Sequence, residues 1–201
     1  MAKVIHNVGN MVIIPPDESI AWHSYENNII FVGKMSYEPN IVAVNYFAKK
    51  IFPHIRRLHP TIKFYIIGAN PDSRVLRLSE IDGIEVTGYV ETLEPYFQTS
   101  TIVVAPMLTG AGIQNKIIQA MSYGCCVATS SIGAEGLTIE DGEIAIYNSE
   151  EEWISGLILL LSDSNLRRRM GNNARKYVMN HLSKDVIESQ FRIFIDSVNV
   201  K

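Results

Sequence analysis

Gly110, Gly112 and Lys116 follow closely on a short apolar run, Thr101–Ala105 (TIVVA), and the sequence between them is GAGIQNK. That grouping suits capture of a phosphorylated anion. The run is β-branched and apolar, as a strand buried on both faces should be, and Pro106 stops it. Glycines then let the backbone turn tightly and present successive N–H groups. Ile113 is expected to open a helix with apolar residues at Ile113, Ile117, Ala120 and Met121. The first amides of a helix and its dipole favour negative charge by about 0.3–2 kcal/mol. Lys116, on the first turn, adds a full positive charge. The ligand class indicated is phosphorylated, with a nucleotide foremost. The plainer alternatives are a glycine turn that only packs its helix on a sheet, and a surface lysine.

The elements needed to position that loop are legible on either side of it. Ile29–Val32, Lys63–Ile67, Ile84–Thr87, Thr101–Ala105, Cys125–Thr129 and Glu143–Ile146 read as strands. Pro39 suits the first turn of a helix whose apolar face is Ile41, Val44, Phe47, Ala48 and Ile51, kinked or restarted at Pro53. Asp72 can cap a short helix over Ser73–Glu80, and Thr92–Gln98 reads as one or two helical turns. Three helices, about Ser149–Leu161, Ser164–Asn180 and Lys184–Val198, complete the chain. Arg167–Arg169 and Arg175–Lys176 read as a solvated face, and Trp153 as a packing residue. Residues 1–28 lack periodicity and read as a leader or linker, with a short strand at Met11–Ile14. The alternation predicts an α/β fold: a single Rossmann-like domain over residues 29–201, with a six-stranded parallel sheet and helices on both faces. Ligands bind such sheets at the carboxyl ends of the strands. The glycines Gly33, Gly68 and Gly88 fall on that rim.

Composition narrows the classes. A chain of 201 residues can bury roughly 70% of its unfolded surface without staples. Its formal net charge of −3 offers no basic excess for nucleic acid. The adjacent Cys125 and Cys126 read as core residues, and neither the two cysteines nor the five histidines show metal-ligand spacing. No apolar run reaches the roughly 18 residues of a membrane span. A reducing, cytoplasmic setting is expected, either free or at the inner face of the membrane.

Five blocks then agree in order: IIFVGKMSYEPN (Ile29–Asn40), FYIIGANP (Phe64–Pro71), VTGYVETLEPYF (Val86–Phe97), VVAPMLTGAGIQNKIIQAMSYGCCVATSSIGAEGL (Val103–Leu137) and LRRRMGNNAR (Leu166–Arg175). Together they resemble the carboxyl-terminal, nucleotide-sugar-binding domain of the group 1, retaining glycosyltransferases of GT-B fold. VIHNVGN (Val4–Asn10) is similar to a degraded form of the family's interdomain segment. The resemblance implies one half of a two-domain enzyme, with an amino-terminal acceptor domain missing from this chain.

Residue by residue, it implies that Gly33 and Lys34 meet the donor diphosphate. A second basic residue of the clamp is replaced by Asn40. Gly110, Ala111, Gly112 and Ile113 present backbone amides to the diphosphate, and Lys116 lies near the phosphates or the cleft. Gly88, Tyr89 and Val90 match the region whose backbone reads the nucleobase; the Tyr89 ring could stack or merely cover the strand end. Glu135, in GAEGL, could contact the sugar or only solvate its loop. Ala111 and Gln119 stand where many members carry glutamates. A glutamine still bonds one ribose hydroxyl but without charge assistance.

The implied reaction transfers a sugar from a nucleoside diphosphate sugar to an acceptor glycan or lipid-linked saccharide, with Lys34 and Lys116 stabilising the leaving group. No metal and no cofactor beyond the donor substrate is expected. Nothing reads as a general base, so this domain alone should bind nucleotide without transferring sugar. The expected partners are a nucleotide-sugar and the missing domain, through which any peripheral membrane contact would run. Two rivals stand beside it: a non-catalytic nucleotide-binding or interaction module that kept the fold, and a sugar-nucleotide epimerase-like enzyme.

Overall fold

The computed structural model describes residues 12–15, 27–140 and 142–199. Six strands form one parallel sheet: β1 (Asn28–Val32), β2 (Lys63–Ile67), β3 (Ile84–Gly88), β4 (Ile102–Ala105), β5 (Val127–Thr129) and β6 (Ala145–Ile146), in the order β3-β2-β1-β4-β5-β6. The chain builds outward from β1 to β3, returns to the other side of β1, and builds outward again. The direction therefore reverses between β1 and β4, the crevice where doubly wound folds hold ligands. Every residue of β1 and β4 is buried, as expected of central strands covered on both faces.

The first crossover is one helical run with a defect. α1 (Glu38–Tyr46) passes through a π-helical turn at Phe47–Ile51 into α2 (Phe52–Leu58). Pro53 supplies the cause expected from the sequence, because it has no N–H for the preceding turn. The second crossover is α3 (Ser73–Leu76) with a 3₁₀ turn at Arg77–Glu80, and the Asp72 side chain accepts from the Arg74 N–H. α4 (Glu94–Thr99) leads to β4, and α5 (Asn115–Ser122) joins β4 to β5. α6 (Glu150–Ser162) starts from a capping box in which Ser149 accepts from the Glu152 N–H and the Glu152 carboxylate accepts from the Ser149 N–H. It packs on α2 and the π turn, where Trp153 meets Phe47 and Tyr147 edge-on. α7 (Ser164–His181) packs on α5, and α8 (Lys184–Asn199) follows it. No helix among the described residues is long and apolar enough to cross a membrane.

Several expectations need correction. β5 begins at Val127, not Cys125, and β6 at Ala145, not Glu143. Asn28, placed in the linker, is the first residue of β1. Of the expected strand at Met11–Ile14, Val12 makes an isolated parallel bridge with Ser183. Met11 and the VIHNVGN segment lie outside the described residues.

The solvated arginine face divides in two. Arg168 and Arg169 are exposed, but Arg167 and Arg175 are buried. Arg167 Nη1 donates to the carbonyls of Leu160 and Leu161 at the end of α6. Arg175 donates to the carbonyls of Ser122 and, at 2.7 Å, Pro15. Both guanidiniums satisfy carbonyls that a helix end or an irregular segment leaves without ladder partners.

Candidate functional site at the β1–β4 switch

The loops after β1 and β2 are pressed together. Gly33 N–H donates to Ile67 O and Gly68 N–H to Gly88 O, each at 3.0 Å, so the ladder pattern continues onto the rim. A Cβ on Gly68 would stand 1.7 Å from Gly33 O, so only glycine allows this approach. Arg74 fastens the outside with two 2.8 Å hydrogen bonds to the Glu38 carboxylate and one of 2.9 Å to Asp72 Oδ1. Those bonds to Arg74 hold both carboxyls below their ordinary range.

Across the switch, β5 braces the loop after β4. Thr129 Oγ1 donates to Ala105 O at 2.8 Å, and Ser130 Oγ donates to Met107 O at 2.6 Å. Residues Leu108–Gly112 of that loop are exposed. Gly110 and Gly112 take φ of +136° and +70°, which favour glycine. Ile113 does not open the helix. Gln114 is extended (φ −86°, ψ 104°), and α5 begins at Asn115. Ile113 is instead a packing residue, close enough to Gly136 that a Cβ there would meet its Cγ1 at 2.9 Å.

Lys116 runs from α5 across the switch to the β1 side. Its Nζ donates to Asn40 Oδ1 at 2.7 Å and to Gln114 Oε1 at 3.2 Å, and lies 3.6 Å from Met107 Sδ. It also sits 5.2 Å from the centroid of the Phe31 ring, a cation–π contact from β1. Burial pushes this ammonium down to about 8 from an ordinary 10.5, because desolvation disfavours the charged form. The ammonium is thus held between two crossovers and is only partly exposed. Asn40, 4% exposed, completes the bridge by donating from Nδ2 to Lys34 O at 3.0 Å. Position 40 lacks a cation, but its carboxamide holds the ammonium of another element in that place.

The structure thus brings Gly33, Lys34, Asn40 and Lys116 to one crevice, with Lys34 exposed on its rim. Gln119 follows Lys116 by three residues on α5, on the same helical face, and is half-buried. Gly110 and Glu135 line one open hollow of about 560 Å³ with Leu108, Thr109, Ser131 and Ile132. Glu135 is itself exposed at the edge of that hollow. Gly88, Tyr89 and Val90 stand apart at the end of β3, two strands or roughly 10 Å from β1. Tyr89 is 76% exposed, so its ring does not cover the strand end. Sequence reasoning missed Asn40 as a holder of Lys116, and Thr129 and Ser130 as braces. Cys125 and Cys126 are not nucleophiles here: burial pushes both thiols up to about 12.

The sequence model of the glycosyl transferases group 1 family matches residues 26–163. The chain belongs to that family. A relative from Klebsiella pneumoniae, an uncharacterized 44.6 kDa protein in the cps region, is 29% identical over 175 residues, covering 82% of this chain and 45% of its own. The chain spans less than half the length of the curated relatives it matches. Among solved structures, S. aureus TarM in complex with UDP and other ligands superposes with a TM-score of 0.75 at 17% identity, over 92% of this chain and 38% of that one. The C-terminal domain of a group 1 glycosyl transferase from Francisella tularensis superposes with a TM-score of 0.62 at 19% identity, over 84% of this chain and 90% of that one. These likenesses support the Rossmann-like sheet of a GT-B glycosyltransferase.

Proposed function

We propose that this chain is the donor domain of a retaining glycosyltransferase: it binds a nucleoside diphosphate sugar whose sugar passes to a glycan or lipid-linked saccharide. The observation that carries this is the convergence of Lys34, Lys116 and the Gly110–Ile113 backbone on the switch between β1 and β4. The diphosphate lies across that crevice. Its charge is met by two lysines and backbone amides, so the proposal invokes no metal or other cofactor. When the sugar–phosphate bond breaks, negative charge builds on the departing diphosphate, and cations already in place lower that barrier. The nucleobase extends toward Gly88, Tyr89 and Val90, with the ribose near Gln119, and the sugar occupies the hollow beside Glu135. UDP in the TarM complex is consistent with this ligand class. A separate acceptor domain completes the cleft and carries any membrane contact.

Calorimetric titration with UDP and GDP tests the proposal. Binding of one of them at or below about 1 mM is expected; heats no larger than dilution for both overturn it. These 201 residues alone should transfer no sugar, and robust transfer without a partner removes the assigned division of labour. A second reading, a nucleotide-binding module without turnover, is favoured by Ala111 and Gln119 in place of carboxylates. It is separated from the first by assaying transfer once an acceptor domain is supplied.

A further inference from the structure

We propose that Asn40 is the positioning residue of this site: its carboxamide fixes the Lys116 ammonium where a second cation is needed and ties it to the backbone of Lys34. The inference rests on the donor-site reading above and adds a residue that acts through Lys116 and the β1 loop. The two ends of the amide do different work. Nδ2 donates to Lys34 O and holds the β1 loop, and Oδ1 accepts from Lys116 Nζ at 2.7 Å. Asparagine fits because one short planar group offers a donor and an acceptor together. A basic residue at 40 would repel Lys116, and an aspartate would cancel its charge.

The neighbourhood is shaped for this strut. Gly33 leaves the room: a Cβ there would come within 2.7 Å of Asn40 Nδ2 and 3.4 Å of Lys116 Cε. Phe31 and Met107 cover the ammonium on other sides, and Gln114 supplies a second acceptor. Charged groups on the neighbouring rim loops include Lys34 after β1, Glu38 at the start of α1, Asp72 and Arg74 after β2, and Glu135 after β5, while α7, packed on α5, carries Arg167–Arg169, Arg175 and Lys176. Glu38 and Asp72 are engaged with Arg74. Desolvation, with no charged partner, accounts for the lowered Lys116 ammonium. The lysine is thus held by neutral groups, so its charge stays available to an anion.

The test follows Lys116 with and without ligand. In the unliganded chain carrying ¹³C-labelled lysine, the Lys116 signal is assigned with Lys116→Arg and its titration followed by NMR. Asn40→Asp, which keeps the shape, should move that titration to higher pH. Asn40→Ala should alter it while distant lysines stay unchanged. Affinity for UDP or GDP, whichever the wild type binds, should fall on the order of tenfold in both variants: Asn40→Ala loses a hydrogen bond to a charged group, and Asn40→Asp offsets the charge of the ammonium. Lys116 titration identical in wild type, Asn40→Asp and Asn40→Ala overturns the proposal, as does unchanged affinity in both variants. If the titration moves as expected but the wild type binds neither nucleotide, the positioning stands and the donor-site reading fails.

Discussion

Asn40 and Lys116 lie 76 residues apart in the chain and 2.7 Å apart in the fold. The contact spans the switch in strand order: Asn40 stands on the helix after β1, and Lys116 on the helix after β4. The cation that faces the crevice is therefore assembled from two crossovers.

Lys116→Met separates charge from packing. Methionine keeps the length of the stem against Phe31 and Met107 and removes a desolvated cation, but it leaves the buried Asn40 Oδ1 without its donor. Stability in urea at neutral pH should fall by no more than about 1–3 kcal/mol, the cost of one stranded buried acceptor. Affinity for UDP or GDP should drop by at least about tenfold. Equal affinity in the variant would remove Lys116 from the site.

The same lysine links pH to stability and binding with opposite signs. Its folded value, about 8, lies below the ordinary 10.5. Between those values the unfolded chain holds more protons, so the lysine's contribution to stability rises with pH across that window and is flat below it. Nucleotide affinity, which needs the ammonium, should fall over the same range. Urea midpoints of wild type relative to Lys116→Met should rise from neutral pH to about pH 10, and calorimetry should show weaker binding. Parallel trends in the two measurements would contradict this.

Gly33→Ala should damage the site from beneath. The added methyl overlaps Asn40 Nδ2, whose own partners leave it little room to move. Overpacking of this kind costs about 1–3 kcal/mol. Chemical denaturation should report that loss together with weakened nucleotide binding. A variant with wild-type stability and affinity would show that the crevice is looser than its contacts indicate.

Arg175→Ala should destabilise far more than Arg169→Ala, although both lie on α7. Removing Arg175 strands the buried carbonyls of Ser122 and Pro15 at a cost of about 2–4 kcal/mol, whereas exposed substitutions stay within about 0.5 kcal/mol. Urea denaturation of both variants checks the order, and equal effects would refute it.

The native thiols should resist modification. With both cysteines buried and held near 12, a thiol reagent at neutral pH should react slowly with the folded chain and rapidly in denaturant. Fast reaction of one thiol in the native protein would show that its niche opens.

What was legible in the sequence is what depends on neighbours along the chain. Lys63–Ile67 shows its strand by its apolar, β-branched content. Asp72 caps because its carboxylate reaches an amide two residues on, and Pro53 disturbs the helix by its own ring. Ile113 misled because an apolar residue in helical phase with Ile117 looks like a first turn. It is half-buried against the core and beside Gly136, contacts the chain makes only after folding. Arg167 and Arg175 misled because their partners are carbonyls on other elements.

The sequence by itself determined the alternation of strands and helices, the glycine rim and the family. Periodicity, turn chemistry and ordered motifs are local properties, and each needs only a few adjacent residues. The tertiary structure alone decided that Asn40 holds Lys116, that Glu135 shares a hollow with Gly110, and that two arginines of a basic helix are buried. Those pairings depend on which strands become neighbours and how closely their rim loops approach. Both are settled by burying β1 and β4 at the centre of the sheet, where strands distant in sequence place their following loops side by side.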